Sequence, residues 1–201
     1  KLRIFQHEMA KGASIKFTSY DESVPKLLNL LNLKQELKKY DKIILKPFLS
    51  ENKEQSTPQP FVESVLKFCL ENKNPVSEIF IAEGADGRST GELFHELGFS
   101  KLAEKYDVSL IDLNDSETEE IEDENFIKFQ SIHFPAILKS GFVISLPKLS
   151  EHDETIISGS LSSMLGAFPA SRYKGFFSQA KNRIRKWPIK YSIHDILRCK
   201  V

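Results

Sequence analysis

The 201-residue chain is poor in cysteine, methionine and tryptophan, with two, two and one of each, and its 28 basic residues are matched by 28 acidic ones. Each scarcity excludes something. Two cysteines, Cys69 and Cys199, can neither complete a tetrahedral thiolate site nor hold a four-cysteine iron–sulfur cluster. So sparse a count fits a reduced intracellular chain better than a disulfide scaffold. A net charge of zero argues neither for nucleic acid nor for an anionic membrane surface as partner. No run approaches the roughly 18–20 apolar residues of a membrane helix, and the amino terminus lacks the shape of a signal peptide. A cytoplasmic location is therefore expected. The sequence also has no serine-nucleophile elbow, no cysteine with a nearby histidine and no His-x-x-x-His zinc spacing, and its glycines match neither a P-loop nor Gly-x-Gly-x-x-Gly.

What is present is a series of short apolar runs alternating with helical stripes. Residues 1–20 suit a strand pair, with Leu2, Ile4, Ile15 and Phe17 alternating weakly around Lys11-Gly12. Val24, Leu27, Leu28 and Leu31 form a helical stripe that Asp21 or Ser23 could cap, and Val62, Val65, Leu66 and Cys69 form another. Between them Lys42 to Leu45 reads as a strand stopped by Lys46-Pro47, and residues 50–60 as a loop. Ile79 to Ala82 is the next strand. Ser89 with Glu92 resembles a capping box, and Gly98 suits the residue after a helix end. A short helix over 99–106 leads to a strand over 108–112, an acidic loop and an alternating run over 126–133.

Ala136 to Lys139 reads as one helical turn, and Phe142 to Leu146 as a buried strand stopped by Pro147. Ile157, Leu161, Met164 and Leu165 suggest a helix closed by Gly166. One last helix over 171–187 would place Tyr173, Phe176, Phe177, Ala180, Ile184 and Trp187 on one face, with a further element from Ile193. The alternation predicts a single α/β domain over 1–201, with a mostly parallel sheet and helices on both faces. The charge is uneven. Seven acids and no base lie between Asp115 and Glu124, while from Ala170 onward nine bases face one acid, Asp195. Both stretches read as solvated faces, or, for the basic one, as a site for an acidic or phosphate-bearing partner.

In such sheets ligands bind beyond the carboxyl ends of the strands, and right-handed crossovers bring those ends to one edge. Lys46, Glu83, Asp112 and Lys148, with His152 shortly after, end four of the expected strands and should converge there. Lys148, His152 and Glu83 are the candidates for catalysis. Lys46 with Gly84 and Ser89, in a loop that runs into a helix amino terminus, is the candidate anion site. Each residue has a plainer role. The lysines could be solvated, His152 could be an exposed loop residue, and Asp86 is first a turn-maker. Glu83 and Asp86 would suit a hard cation, though no metal-ligand set is assigned.

In order and spacing these motifs resemble the family known as domain of unknown function 362, prokaryotic proteins often joined to ferredoxin-type modules. The resemblance runs over about 22–168, through Lys42-Ile-Ile-Leu-Lys-Pro47, the Thr57-to-Phe68 run into a helix, Ala82-Glu-Gly84 with Thr90, and Leu97-Gly-Phe99 with Leu102-Ala103. It continues through Tyr106 to Leu113, Phe134 to Leu149, His152 and Leu165-Gly166. Phe48, Ser150-Glu151 and Ser162-Ser163 stand where the family usually writes Asn, Lys-Thr and Lys-Asn. No ferredoxin segment is present, and the chain is expected to end short of the usual domain. The resemblance implies no settled reaction, but a redox or iron–sulfur protein is a partner it suggests.

Two functions follow as expectations. The first is binding of, or action on, a small anionic ligand at the strand ends. The second is a non-catalytic module whose basic, aromatic carboxyl-terminal region docks a partner. Neither a membrane nor nucleic acid is expected.

Overall fold

The computed structural model describes residues 3–7, 10–153, 156–178, 180–186 and 188–199, with backbone alone for 3–7, 10 and 11. The chain opens with an antiparallel pair, β1 (Arg3–His7) and β2 (Ala10–Ser14), in which His7 faces Ala10. Lys11 and Gly12 therefore sit inside β2 and not at the turn, while Leu2 lies outside the described residues. Helix α1 (Tyr20–Leu30) follows. Its cap is Ser19, whose hydroxyl accepts from the Glu22 amide at 3.3 Å, and not Asp21 or Ser23. Ser23 instead accepts from the Thr18 amide.

After α2 (Leu33–Leu37) come β3 (Lys42–Pro47), α3 (Gln59–Asn72), β4 (Glu78–Glu83), α4 (Thr90–Glu96), α5 (Phe99–Tyr106) and β5 (Ser109–Asp112). Gly98, between α4 and α5, has φ 82°, a left-handed conformation that glycine adopts without a Cβ clash. The acidic stretch is largely a strand and not a loop. β6 (Thr118–Glu122) pairs antiparallel with β7 (Ser131–Pro135), which starts five residues later than the alternation from 126 suggested. Glu119, Glu120 and Glu122 remain exposed. A short helix, α6 (Ala136–Ser140), leads into β8 (Phe142–Leu146).

Strands β5, β4, β3 and β8 lie side by side in that order, all parallel, in a four-stranded sheet. This is an α/β fold. β3 is an inner strand, buried from Ile43 to Pro47; Ile43 and Leu45 point into one core and Ile44 into the other. The first core holds α1, α3, α4 and α5 against the sheet through Leu28, Val62, Leu66, Leu93 and Phe99. The second holds β7, α6 and the carboxyl-terminal segment through Phe134, Leu138, Met164, Phe168 and Ile196. β8 is half-buried where full burial was expected, because it forms an edge of the sheet.

Beyond β8 the chain forms a hairpin, β9 (Ser150–His152) with β10 (Ile156–Ser158). Ile157 belongs to this hairpin, so the expected helical stripe begins only at α7 (Ser160–Ser163) and continues as a 3₁₀ turn over Met164–Ala167, with Gly166 inside it. The single helix expected over 171–187 is two short ones, α8 (Ala170–Tyr173) and α9 (Asn182–Arg185), separated by a loop around Gly175. Tyr173 and Ile184 are buried, whereas Phe176 and Phe177 stand in the loop and are exposed. Trp187 lies outside the described residues. The last helix, α10 (Ile189–Leu197), begins four residues before Ile193.

Asp195 fastens α10 to the rest. Its fully buried carboxylate accepts from the backbone amides of Ile127, Lys128 and Phe129 at 2.8, 2.7 and 3.1 Å, and pairs with His194. Burial acts to raise its pKa, but His194 and the three amides outweigh it and the net shift is downward. A depressed carboxylate stabilises the fold fully above its unfolded value, and that stability is lost as pH falls through the folded value. Asp195→Ala is expected to cost about 2–4 kcal/mol at neutral pH, since three amides lose their acceptor. In urea titrations the gap between variant and parent should close below the ordinary aspartate value of 3.8.

Candidate functional site

The chain after β3 turns to α3 on one face of the sheet, and the chain after β8 turns to α7 and the 3₁₀ turn on the other. Neighbouring strands whose connections part in this way leave a crevice at their carboxyl ends. Thr57 ties its two sides together, accepting from the Phe48 amide at 2.8 Å and donating to the Leu146 carbonyl at 2.6 Å.

Beneath the crevice lies a buried ion pair. The Lys46 ammonium donates to Glu83 Oε2 at 2.6 Å and to the Ser163 carbonyl at 2.7 Å, with Ser163 Oγ at 3.3 Å. Both side chains are closed to solvent, at 0% and 2% exposure. Burial pushes the Glu83 carboxyl upward, and Lys46, then Lys181, offset that only in part. The 3₁₀ turn comes close enough to cover the pair because residue 166 is glycine. A Cβ there would stand 2.1 Å from Glu83 Oε1, and one on Gly84 would stand 2.3 Å from the Gly166 carbonyl oxygen.

Above the pair is a cavity of about 170 Å³ whose wall includes Glu83, Gly84, His152, Gly166, Lys181 and Arg185. Lys181 is 1% exposed, and its ammonium donates to the Gly84 carbonyl at 2.7 Å and the Gly166 carbonyl at 3.2 Å. Among the described residues it has no carboxylate within ion-pair distance. Burial pushes this amine down to about 8, against the weaker opposing pull of Glu83 and Asp86. Asp86 sets its position: one carboxylate oxygen accepts from the Lys181 amide at 2.8 Å, and the other takes Arg185 Nε at 2.6 Å.

The structure brings together some of the residues that the sequence singled out and separates others. Glu83, Gly84 and His152 line the cavity. Lys46 lies at the same strand edge but under the wall, with its donors spent on Glu83 and Ser163. Lys148 is exposed and donates to the Glu54 carbonyl at 2.6 Å, outside the cavity. Ser89 caps α4 through the Glu92 amide at 3.3 Å, and Asp112 accepts from the Asn114 amide; both border a separate depression between α4 and α8. The residues that depart from the family pattern also have places. Phe48 and Ser162 line the cavity, Ser163 receives Lys46, and Glu151 points to solvent from β9. Glu83 and Asp86 already engage cations, and no group of three or more histidine, cysteine, aspartate or glutamate side chains is gathered for a metal ion among the described residues.

Lys181 and Arg185 were missed by sequence reasoning, which assigned both to one solvated helical face. Nothing local marks a buried lysine. The one available signal was Gly175, a helix breaker in the middle of the supposed helix.

The model of the family described as domain of unknown function (DUF362) matches residues 43–199, and the chain belongs to that family. The match begins at β3 and includes the carboxyl-terminal helices, so it starts later and runs further than the resemblance over 22–168. A search of curated proteins found no match. Among the described residues no helix is long and apolar enough to cross a membrane.

The central ion pair has a measurable consequence. Glu83→Gln leaves the Lys46 ammonium buried without its carboxylate, and the expected loss is about 3–5 kcal/mol. Lys46→Met with Glu83→Leu removes both charges and should recover much of that loss. Urea unfolding of Lys46→Met, Glu83→Leu and their combination would close the cycle, and additive losses would show that the pair does not act as a unit.

Proposed function

We propose that this chain binds a small anionic molecule in the cavity at the carboxyl ends of its strands. The observation that carries the reading is the unbalanced charge there. Lys46, Lys181 and Arg185 face two carboxylates, Glu83 and Asp86, and each carboxylate is engaged by one of the other two cations. A buried ammonium without a counter-ion is costly, and an anion in the cavity would offset that cost. Lys181, Arg185 and His152 would supply the attraction. Glu83 would supply acid–base function, and Gly84 close backbone approach. Lys46 would act from below by holding Glu83, and Lys148 and Ser89 would have no direct contact. The two cysteines, both free and buried, agree with a reduced, cytoplasmic setting.

A panel of small mono- and dicarboxylates and inorganic phosphate, read by thermal shift, tests the proposal. At ten times Kd a bound anion should add about 1.4 kcal/mol, or roughly 3–6 °C for a chain of this size. Lys181→Met should abolish the shift, while Lys148→Ala should keep it. No shift with any anion in the parent protein would reject the reading.

A second reading has an observation of its own. Phe176 and Phe177 are 95% and 96% exposed and stack edge to face at 4.9 Å. Exposed Arg172, Lys174 and Arg183 surround them in sequence, and no acid occurs between Ala170 and His194. Aromatic anchors in a basic setting suit an acidic protein partner, and the redox or iron–sulfur protein that the family resemblance suggests would be one of this kind. Phe176→Ser with Phe177→Ser should leave the unfolding free energy within about 0.5 kcal/mol of the parent, as expected of exposed surface rings. A clear loss in thermal unfolding would mean that the rings serve the fold, and the docking reading would lapse.

A further inference from the structure

We propose that Lys181 is an amine nucleophile that forms a reversible imine with a small carbonyl-bearing anion, of the 2-oxo acid class, held in the cavity beside Glu83. The inference rests on the anion-binding reading and adds a covalent step to it.

Two buried lysines meet at this edge of the sheet, and their surroundings give them different work. Lys46 has a carboxylate at 2.6 Å and is walled off from the cavity. Lys181 lines the cavity, holds only two carbonyl oxygens, and has no ion-pair partner among the described residues. Two acceptors leave one of its three ammonium protons unassigned. The charged groups that bear on it are Glu83, Asp86, Lys46 and Asp112; burial, joined by Lys46, outweighs the three carboxylates. Pushed down to about 8, the amine is neutral in a far larger share of molecules near neutral pH than an ordinary lysine is. A desolvated lysine of this kind is a competent nucleophile toward carbonyl carbon.

The step balances within the cavity. The neutral amine gives its electron pair to the carbonyl carbon, and the C=O π pair moves to oxygen, which takes a proton to form a carbinolamine. The nitrogen loses one proton, the hydroxyl takes a second proton and leaves as water, and the C=N so formed is an iminium that gives up its last N–H proton to become the imine. Amine and carbonyl thus give imine and one water, with no oxidant or reductant. Glu83 is the group placed to move those protons. Its Oε2 is held by Lys46, while its Oε1 lies on the side of Gly166, whose carbonyl accepts from Lys181. Its raised pKa lets the carboxyl both accept and return a proton. Arg185 and His152, on the same wall, suit the carboxylate of the ligand. A volume of about 170 Å³ limits the ligand to a small molecule, since a cavity of roughly 150 Å³ takes one six-carbon ring.

Reductive trapping tests this directly. The full chain is incubated with pyruvate and sodium cyanoborohydride, digested, and mapped by mass spectrometry. The expected result is one saturable adduct on the peptide that contains Lys181, formed at least tenfold faster than adducts on exposed lysines. Lactate, which has no carbonyl, serves as the binding control by thermal shift. Lys181→Arg should give no adduct in the cavity, since a guanidinium has no neutral amine to form an imine. If lactate and pyruvate bind but label is scattered over exposed lysines, the imine is wrong and anion binding stands. If neither shifts the parent's melting temperature and Lys181 is unlabelled, both readings fall. The trapping result on the parent protein decides the covalent step even if the variant does not fold.

Discussion

The buried contact between Lys46 and Glu83 is the constraint on which this edge of the sheet is built. Two parallel strands each end in an ionisable residue, and neither charge can be left in the interior alone. Their mutual distance of 2.6 Å, and the Ser163 carbonyl on the ammonium, make burial tolerable. Such a pair adds little stability compared with an apolar replacement, but losing one member is severe. It therefore acts mainly to fix geometry. The 3₁₀ turn must close over β3 and β4 at one height, and only glycine at 84 and 166 permits that approach.

From this point the carboxyl-terminal segment is held by backbone contacts to acidic side chains. Asp86 takes the Lys181 amide and Arg185, and Asp195 takes three amides of the 127–129 turn. Each carboxylate satisfies donors that a short helix or loop cannot satisfy itself. The basic tail is thus held by Asp86 from the loop after β4 and by its own single acid, Asp195. Its overall positive charge describes its outer surface, while Lys181, its one fully buried cation among the described residues, lines the cavity.

The sheet was legible in the sequence because its signals are local. Phe142 to Leu146 was delimited correctly, the 99–106 helix likewise, and the Ser89 cap and Gly98 terminus followed from side-chain chemistry. Whether an apolar run is central or at an edge is not local, so β8 was expected to be buried. The acidic strand β6 escaped notice because β pairing with β7 overrides the poor strand propensity of glutamate. The 171–187 helix was overcalled because the aromatic spacing fitted a helical period and Gly175 was given no weight. At the site, residues just after strands were legible by topology: Glu83, Gly84 and His152. Lys181 was not, since its burial depends on Gly84 and Asp86, about a hundred positions away.

Two lysines of the same type, both closed to solvent and near the same carboxylate, can still be told apart by what neutralises them. Lys46 is neutralised within the protein, and its energetic account closes with Glu83. Lys181 rests on carbonyl dipoles, which stabilise an ammonium less than a carboxylate does. The imbalance is eased if the ammonium loses a proton, and under the anion-binding proposal it would be eased by a bound anion as well. A residue placed for packing alone would need neither, since an apolar side chain would fill the same space without the desolvation cost. Perturbed ionisable groups of this kind cluster at functional sites, though ion-pair networks perturb them too. What sets Lys181 apart from the lysine beside it is the missing carboxylate.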